Sequence, residues 1–255
     1  MRKSQLPDIK ELLEEKTAQY NNRSFIPDDP ICVPHQFTKK QDIEIAGFFA
    51  AIIAWGNRKS IVKNASRLVE MMDNSPHEFI VSGSAQDIKR LSTFVHRTFN
   101  GQDMMEYARA LRRMYAKHDS LEQFFVNDSA GLDRISVFRR EFVKGMKTEH
   151  AMRHISNPET GSAAKRLNMY LRWMVRQDKA GVDFGIWKNI LPATLRLPLD
   201  VHTGNTARKL GLLNRKQDDA KAVAEITNVL RNFDPKDPVK YDFALFGLGV
   251  FERLV

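Results

Sequence analysis

"HISNPETGSAAKRLNMYLRWMVR", residues 154–176, reads as a helix, a tight turn and a second helix. Pro158 and Gly161 stand in the turn, and the small residues Ser162, Ala163 and Ala164 open the second helix. Small side chains at that point let a phosphate approach the unpaired backbone N–H groups of the helix start, where the dipole favours an anion. Lys165 and Arg166 follow within the first turn or two. The same residues also make an ordinary helical hairpin, so the stretch settles local architecture before it settles chemistry.

Outward from this hairpin the chain continues as helices, with almost no alternating β pattern. An amphipathic helix is expected from Asp8 to about Tyr20, followed by the Pro-rich linker "FIPDDPICVPHQF", which cannot be helical throughout. A nearly all-apolar helix from Asp42 to Gly56 belongs in the middle of a bundle, because it has no polar face to give to water. Further helices are expected at 58–73, 84–94, 101–118, 120–126 and 132–146. After the hairpin, "KAGVDFGIW" reads as a loop and "LPATLRLPLD" as extended chain, since each residue before a proline is pushed toward β or polyproline geometry. Asp200 would cap a helix from Val201 to Leu212, and Asp237 would cap the last helix with Pro238 at its first position. The expected fold class is all-α. Residues 1–40 form an N-terminal helix and linker packed on a core of residues 41–255, with the hairpin at about 150–176 and the Asp200 loop at 195–213.

The chain has 255 residues, 42% hydrophobic and 28% charged, enough to bury one large core or two small subdomains. Its longest apolar run, Ile45 to Trp55, is about half of the roughly 20 residues that span a bilayer, so no membrane partner is expected. The N-terminus carries no signal-like apolar core, and a cytoplasmic location is expected. Cys32 is the only cysteine, which excludes an intrachain disulfide and a four-cysteine metal or iron–sulfur site. The seven histidines read as scattered, without a His-x-x-x-His pair backed by a nearby carboxylate, so no metal and no cofactor is expected.

Net charge of +9 argues for an anionic partner. The excess is uneven: residues 139–176 hold nine Lys and Arg against three Glu. Within that segment Lys165 has a second reading. Near a helix N-terminus and beside Arg166 the charged form of a lysine is disfavoured, and a neutral amine is a nucleophile able to form a Schiff base. A phosphate contact or a solvated side chain are the alternatives. Asp200 likewise reads as a helix cap, as an acid–base group facing a cleft, or as both at once.

Taken in order, turn, "GSAAK", long helix, extended segment and "PLDVHTGNTARKLGL" resemble the helix-hairpin-helix DNA glycosylase superfamily. Similarity is greatest to the 8-oxoguanine DNA glycosylase/AP lyase branch, and the whole chain resembles a related bacterial family catalogued without an assigned function. That resemblance implies two helical subdomains with a cleft between them, Lys165 as nucleophile and Asp200 as the essential carboxylate. It places Gly161, Ser162, Ala163, Arg166 and His202 against the DNA backbone. Asn57 and Arg58, in "AAIIAWGNRKSIVKN", would probe the duplex where a base has been flipped out. "KYDFALFGLGV" is similar to an element of the same branch, and Trp55, Asp242, Phe243 and Phe246 become candidates for the base pocket, with Trp187 a further aromatic; core packing is the competing reading for these rings. Arg172 and Arg176 would add a basic face. Where the superfamily turn has a second glycine this chain has Ala163, and Lys165 and Asp200 stand 35 positions apart because of the insert "QDKAGVDFGIWKNI".

The implied activity is base excision repair: a monomeric, nucleoid-associated glycosylase with AP lyase activity that removes a damaged base, an oxidised purine in the first instance, from double-stranded DNA. A non-catalytic DNA-binding protein, a monofunctional glycosylase using water and a helical RNA-binding protein are the alternatives.

Overall fold

Local sequence signals fix most helix starts in the computed structural model, which describes residues 6–126 and 133–254. Twelve α-helices and one two-stranded antiparallel hairpin are present among the described residues, so the fold is all-α. The chain divides into two units: one takes the N-terminal segment to Phe25 together with Pro158–Val255, the other takes Ile26–Asn157. A division at residue 40 is thus a different cut, because the helix and the Pro-rich linker of the N-terminal segment belong to different units.

In the second unit the order is α2 (Lys40–Ile52), α3 (Arg58–Met71), α4 (Pro76–Ser82), α5 (Ala85–Arg90), β1 (Val95–His96), β2 (Phe99–Asn100), α6 (Gly101–Tyr115), α7 (Arg134–Phe142) and α8 (Glu149–Arg153). As its composition requires, α2 is central: every residue from Ile43 to Ile52 is buried. Glu44 is among them, and its carboxylate is satisfied by the Tyr115 hydroxyl at 2.8 Å, the Ser120 hydroxyl at 2.5 Å and the Leu121 amide at 3.1 Å. Phe48 packs against Phe49, Tyr107, Phe138 and Phe142. The Pro-rich linker forms short 3-10 turns, two of them led by a proline. Residues 121–124, expected to be α-helical, form only such a turn. In place of a single helix over 84–94, α5 and a 3-10 turn lead into the β-hairpin, whose turn residue Arg97 has φ 54°. Leu132, the first residue of the helix expected at 132–146, lies outside the described residues, as do 1–5, and the helix itself runs from Arg134 to Phe142.

The first unit contains α1 (Leu6–Tyr20), α9 (Lys165–Val175), α10 (Val201–Lys209), α11 (Ala220–Phe233) and α12 (Asp242–Val250). Leu13, Leu197, Leu199, Ile226, Leu230, Leu245 and Leu248 form its core. Gly247 is the point of closest helix approach: a Cβ there would lie 2.1 Å from the Tyr20 ring, so only glycine lets α1 and α12 meet. Asp237 does not cap the last helix. Pro238 does open the segment, but as a 3-10 turn over 238–241, and the Asp237 side chain turns instead to Arg176.

Candidate active site

Two helix starts in the first unit bring Lys165 and Asp200 together across 35 residues of chain. Lys165 is the first residue of α9 because the backbone reverses at Ala164, a non-glycine residue in the left-handed region with φ 47°. Gly161, with φ 90°, makes the preceding reversal. Its N–H donates to the Pro158 carbonyl at 3.0 Å and its own carbonyl accepts from the Ala220 amide at 3.0 Å. Ser162 pairs with Asp219 in an isolated bridge, and its hydroxyl accepts from the Ala164 amide at 3.2 Å. Asn168 reaches back to donate to the Ala163 carbonyl at 3.0 Å, tying the turn to the first turns of α9. The two left-handed positions are therefore Gly161 and Ala164, and Ala163 carries no positive φ.

Asp200 turns its two oxygens to different partners. One oxygen, Oδ1, accepts from the Thr203 amide at 2.9 Å and caps α10. The other, Oδ2, lies 3.3 Å from Lys165 Nζ. Capping uses one oxygen and leaves the second aimed at the amine. Burial works against the charged carboxylate, but the Lys165 ammonium, the Thr203 amide and His202 more than offset it and hold the Asp200 carboxyl below the usual carboxylate range. Both side chains keep some access to solvent, 32% for Lys165 and 19% for Asp200.

Asp242 completes the electrostatic set. It is buried, and burial pushes its carboxyl up to about 6 despite the Arg172 guanidinium, with the negative charge of Asp200 acting in the same direction. Arg172 Nη1 donates to Asp242 and Arg172 Nε to Asp183 at 3.2 Å. Two carboxylates of unlike proton affinity thus act on one another beside a primary amine, the kind of separation from which acid and base roles are assigned.

Arg172 and Arg176 correct the sequence reading. They form no basic face: both are buried, at 4% and 3% exposure. Arg176 bonds Asp178 at 2.6 Å, Asp183 at 3.0 Å and Asp237 at 2.8 Å, so its charge is consumed inside the protein. Phe243 lies flat beneath them, with the Arg172 guanidinium carbon 4.3 Å from its ring centroid and Phe25 edge-on at 5.4 Å. Phe243 and Trp187 are fully buried and Trp187 packs edge-on against Tyr170, whereas Phe246 is partly exposed between Phe25 and Phe251. Arg166 is partly exposed on α9 and His202 exposed on the first turn of α10.

Asn57, Arg58 and Trp55 belong to the other unit. Asn57 caps α3, accepting from the Ser60 amide at 3.2 Å, and Arg58 is the first residue of that helix. Gly56 before them lies under Arg97: a Cβ there would come within 2.9 Å of the Arg97 guanidinium. Trp55 is half-buried, stacked on His154 at 5.7 Å and met edge-on by His96 at 5.1 Å. His96 is buried and bonded to Asn64 at 2.8 Å and the Trp55 carbonyl at 3.2 Å. Burial lowers its proton affinity.

The histidines are not scattered. His150 and His154 do stand at His-x-x-x-His spacing, and both meet the buried Asp103. The spacing was the available signal; the carboxylate was missed because it lies 47 residues before His150.

No helix among the described residues is long and apolar enough to cross a membrane. No curated protein and no solved structure matches the chain. A family model described as "Protein of unknown function (DUF2400)" matches residues 29–251, and the chain belongs to that family.

Proposed function

We propose that the chain is a DNA glycosylase with AP lyase chemistry, acting on duplex DNA that carries a damaged base, an oxidised purine first among them. The observation that carries this reading is the 3.3 Å approach of Lys165 Nζ to Asp200 Oδ2 at two helix starts, the two residues that the helix-hairpin-helix resemblance names as nucleophile and carboxylate. The amine must be free of its proton before it attacks, and Asp200 is the acceptor within reach. The amine nitrogen then bonds to the sugar C1′ while the bond from C1′ to the base breaks, its electrons leaving with the base, which takes the proton that Asp200 had accepted and so restores the Asp200 carboxylate. Opening of the C1′–O4′ bond gives the Schiff base. Loss of a C2′ proton expels the 3′ phosphate oxygen and cuts the strand. Through the cationic stages the Asp200 carboxylate, held charged, stabilises the sugar. A damaged nucleotide reaches such a centre only when it is flipped out of the duplex. Gly161, Ser162 and Ala163 with Arg166 would hold phosphate, which positions DNA without reading its sequence.

The capped, ion-paired state of Asp200 also suits a monofunctional glycosylase, in which water attacks C1′ and Lys165 serves as a fixed cation. Borohydride trapping separates the two. With a duplex carrying an abasic site, the native chain should give a covalent adduct and Lys165→Gln none. Base release without any adduct would support the water-using enzyme, and DNA binding without either would leave a binding protein.

A further inference from the structure

In the Ile26–Asn157 unit, Asp103 is the third residue of α6 and is 1% exposed. Its Oδ2 accepts from the Asn100 amide at 2.9 Å in a capping box, which fixes the carboxylate. Its Oδ1 faces His150 Nδ1 at 2.8 Å, and His154 Nε2 lies 3.5 Å from Oδ2. One ligand atom from each of the three residues lies within 4.8 Å of the others. His154, the C-cap of α8, is clamped, stacked by Trp55 at 5.7 Å and met edge-on by Phe99 at 5.0 Å, while His150 is half-exposed within α8.

We propose that Asp103, His150 and His154 form a binding site for one divalent transition-metal ion of the zinc and iron(II) class. A single Asp–His hydrogen bond needs one imidazole, whereas here two imidazoles from successive helical turns converge on one carboxylate. Bonds of about 2.1 Å place neighbouring ligand atoms about 3.0 Å apart in an octahedral shell and about 3.4 Å apart in a tetrahedral one. The 2.8 Å from His150 Nδ1 to Oδ1 is close to such an edge, and His154 Nε2 lies 3.5 Å from the second oxygen, Oδ2, so a carboxylate gripping with both oxygens or a small rotation of Asp103 brings the two imidazoles onto one ion. Two histidines and one carboxylate, all on one side of the ion, are the donor set that suits late first-row ions and leaves positions open. The exposed side of His150 is where water or a small anionic ligand completes the shell. The Asn100 amide on Oδ2 supplies the outer hydrogen bond that orients a ligating carboxylate. This site uses no residue of the Lys165–Asp200 pair.

Cobalt(II) is the probe, because its visible bands report the ligand field directly. The full chain, first stripped with a chelator, is titrated with Co²⁺ and its metal content measured after dialysis. One ion per chain is expected, with visible bands and a raised melting temperature. His150→Ala removes a half-exposed ligand without opening the core and should weaken binding at least about tenfold. Asp103→Asn serves as second variant, since the amide keeps its side-chain oxygen as an acceptor for the cap while losing the charge that holds the ion. No Co²⁺ uptake at millimolar ion, or equal uptake by native chain and His150→Ala, overturns the proposal. Abasic-site trapping by the native chain is read separately and decides nothing about this site.

Discussion

Replacing Asp200 separates its two oxygens. Asp200→Asn keeps an oxygen in place to accept the Thr203 amide bond now made at 2.9 Å, and removes the charge facing Lys165 at 3.3 Å. Asp200→Ala removes both. Loss of a helix cap costs about 1 kcal/mol. A Lys–Asp pair that still has access to solvent contributes at most about 1 kcal/mol. The alanine variant should therefore lose about 1–2 kcal/mol and the asparagine variant less than about 1 kcal/mol. At about 2–4 °C per kcal/mol for a chain of this size, circular-dichroism melts at pH 7 resolve the difference. The charge contribution also has a pH signature. Because the folded carboxyl is held below the usual range, this stabilisation is present in full above about pH 4 and is lost as pH falls through the lower folded value. The gap between native chain and Asp200→Asn should close in that acid window. Both variants should lose base excision and strand cleavage while still binding duplex DNA. Retained turnover in Asp200→Asn refutes the acid–base role, and an asparagine variant as unstable as the alanine one refutes the capping geometry.

Arg176→Gln leaves Asp237 without its cation inside the first unit and Asp183 with Arg172 alone, and melts should show a loss of about 3–5 kcal/mol; an exposed phosphate contact would instead melt unchanged. Arg166→Ala should reduce the slope of log affinity against log salt for duplex DNA by about 1. For the native chain the same titration should show affinity falling steeply with salt, and a binding constant that is flat from low to physiological ionic strength would remove the nucleic-acid reading.

Lys165 and Asp200 were each legible as helix-start residues from local signals, Gly161 and small residues before one and a Pro-bearing extended stretch before the other, but only the family resemblance joined them as a pair. All-α architecture was equally legible in α2, whose lack of a polar face sends it to the middle of its unit. Buried charge was not. Nothing in "RLNMYLRWMVR" distinguishes the partly exposed Arg166 from the buried Arg172 and Arg176, since their carboxylate partners come from a loop at Asp178 and Asp183 and from Asp237 and Asp242, 61 to 70 residues on. The sequence reading also names no helix over 220–233, although Asp219 caps α11 and Val223, Ile226, Leu230 and Phe233 line its buried side. Asp103 joined two histidines 47 and 51 residues later, a relation that exists only once α6 and α8 are folded.

The most direct test of the proposed chemistry is to locate the adduct. Native chain is incubated with an abasic duplex, reduced with borohydride, digested with protease, and the peptide carrying the sugar remnant is sequenced by mass spectrometry. Attachment to the nitrogen of Lys165, absent in Lys165→Gln and greatly reduced in Asp200→Asn, is the predicted result. Attachment at another lysine or at the N-terminal amine, with Lys165 unmodified, would contradict the assignment of Lys165 as nucleophile.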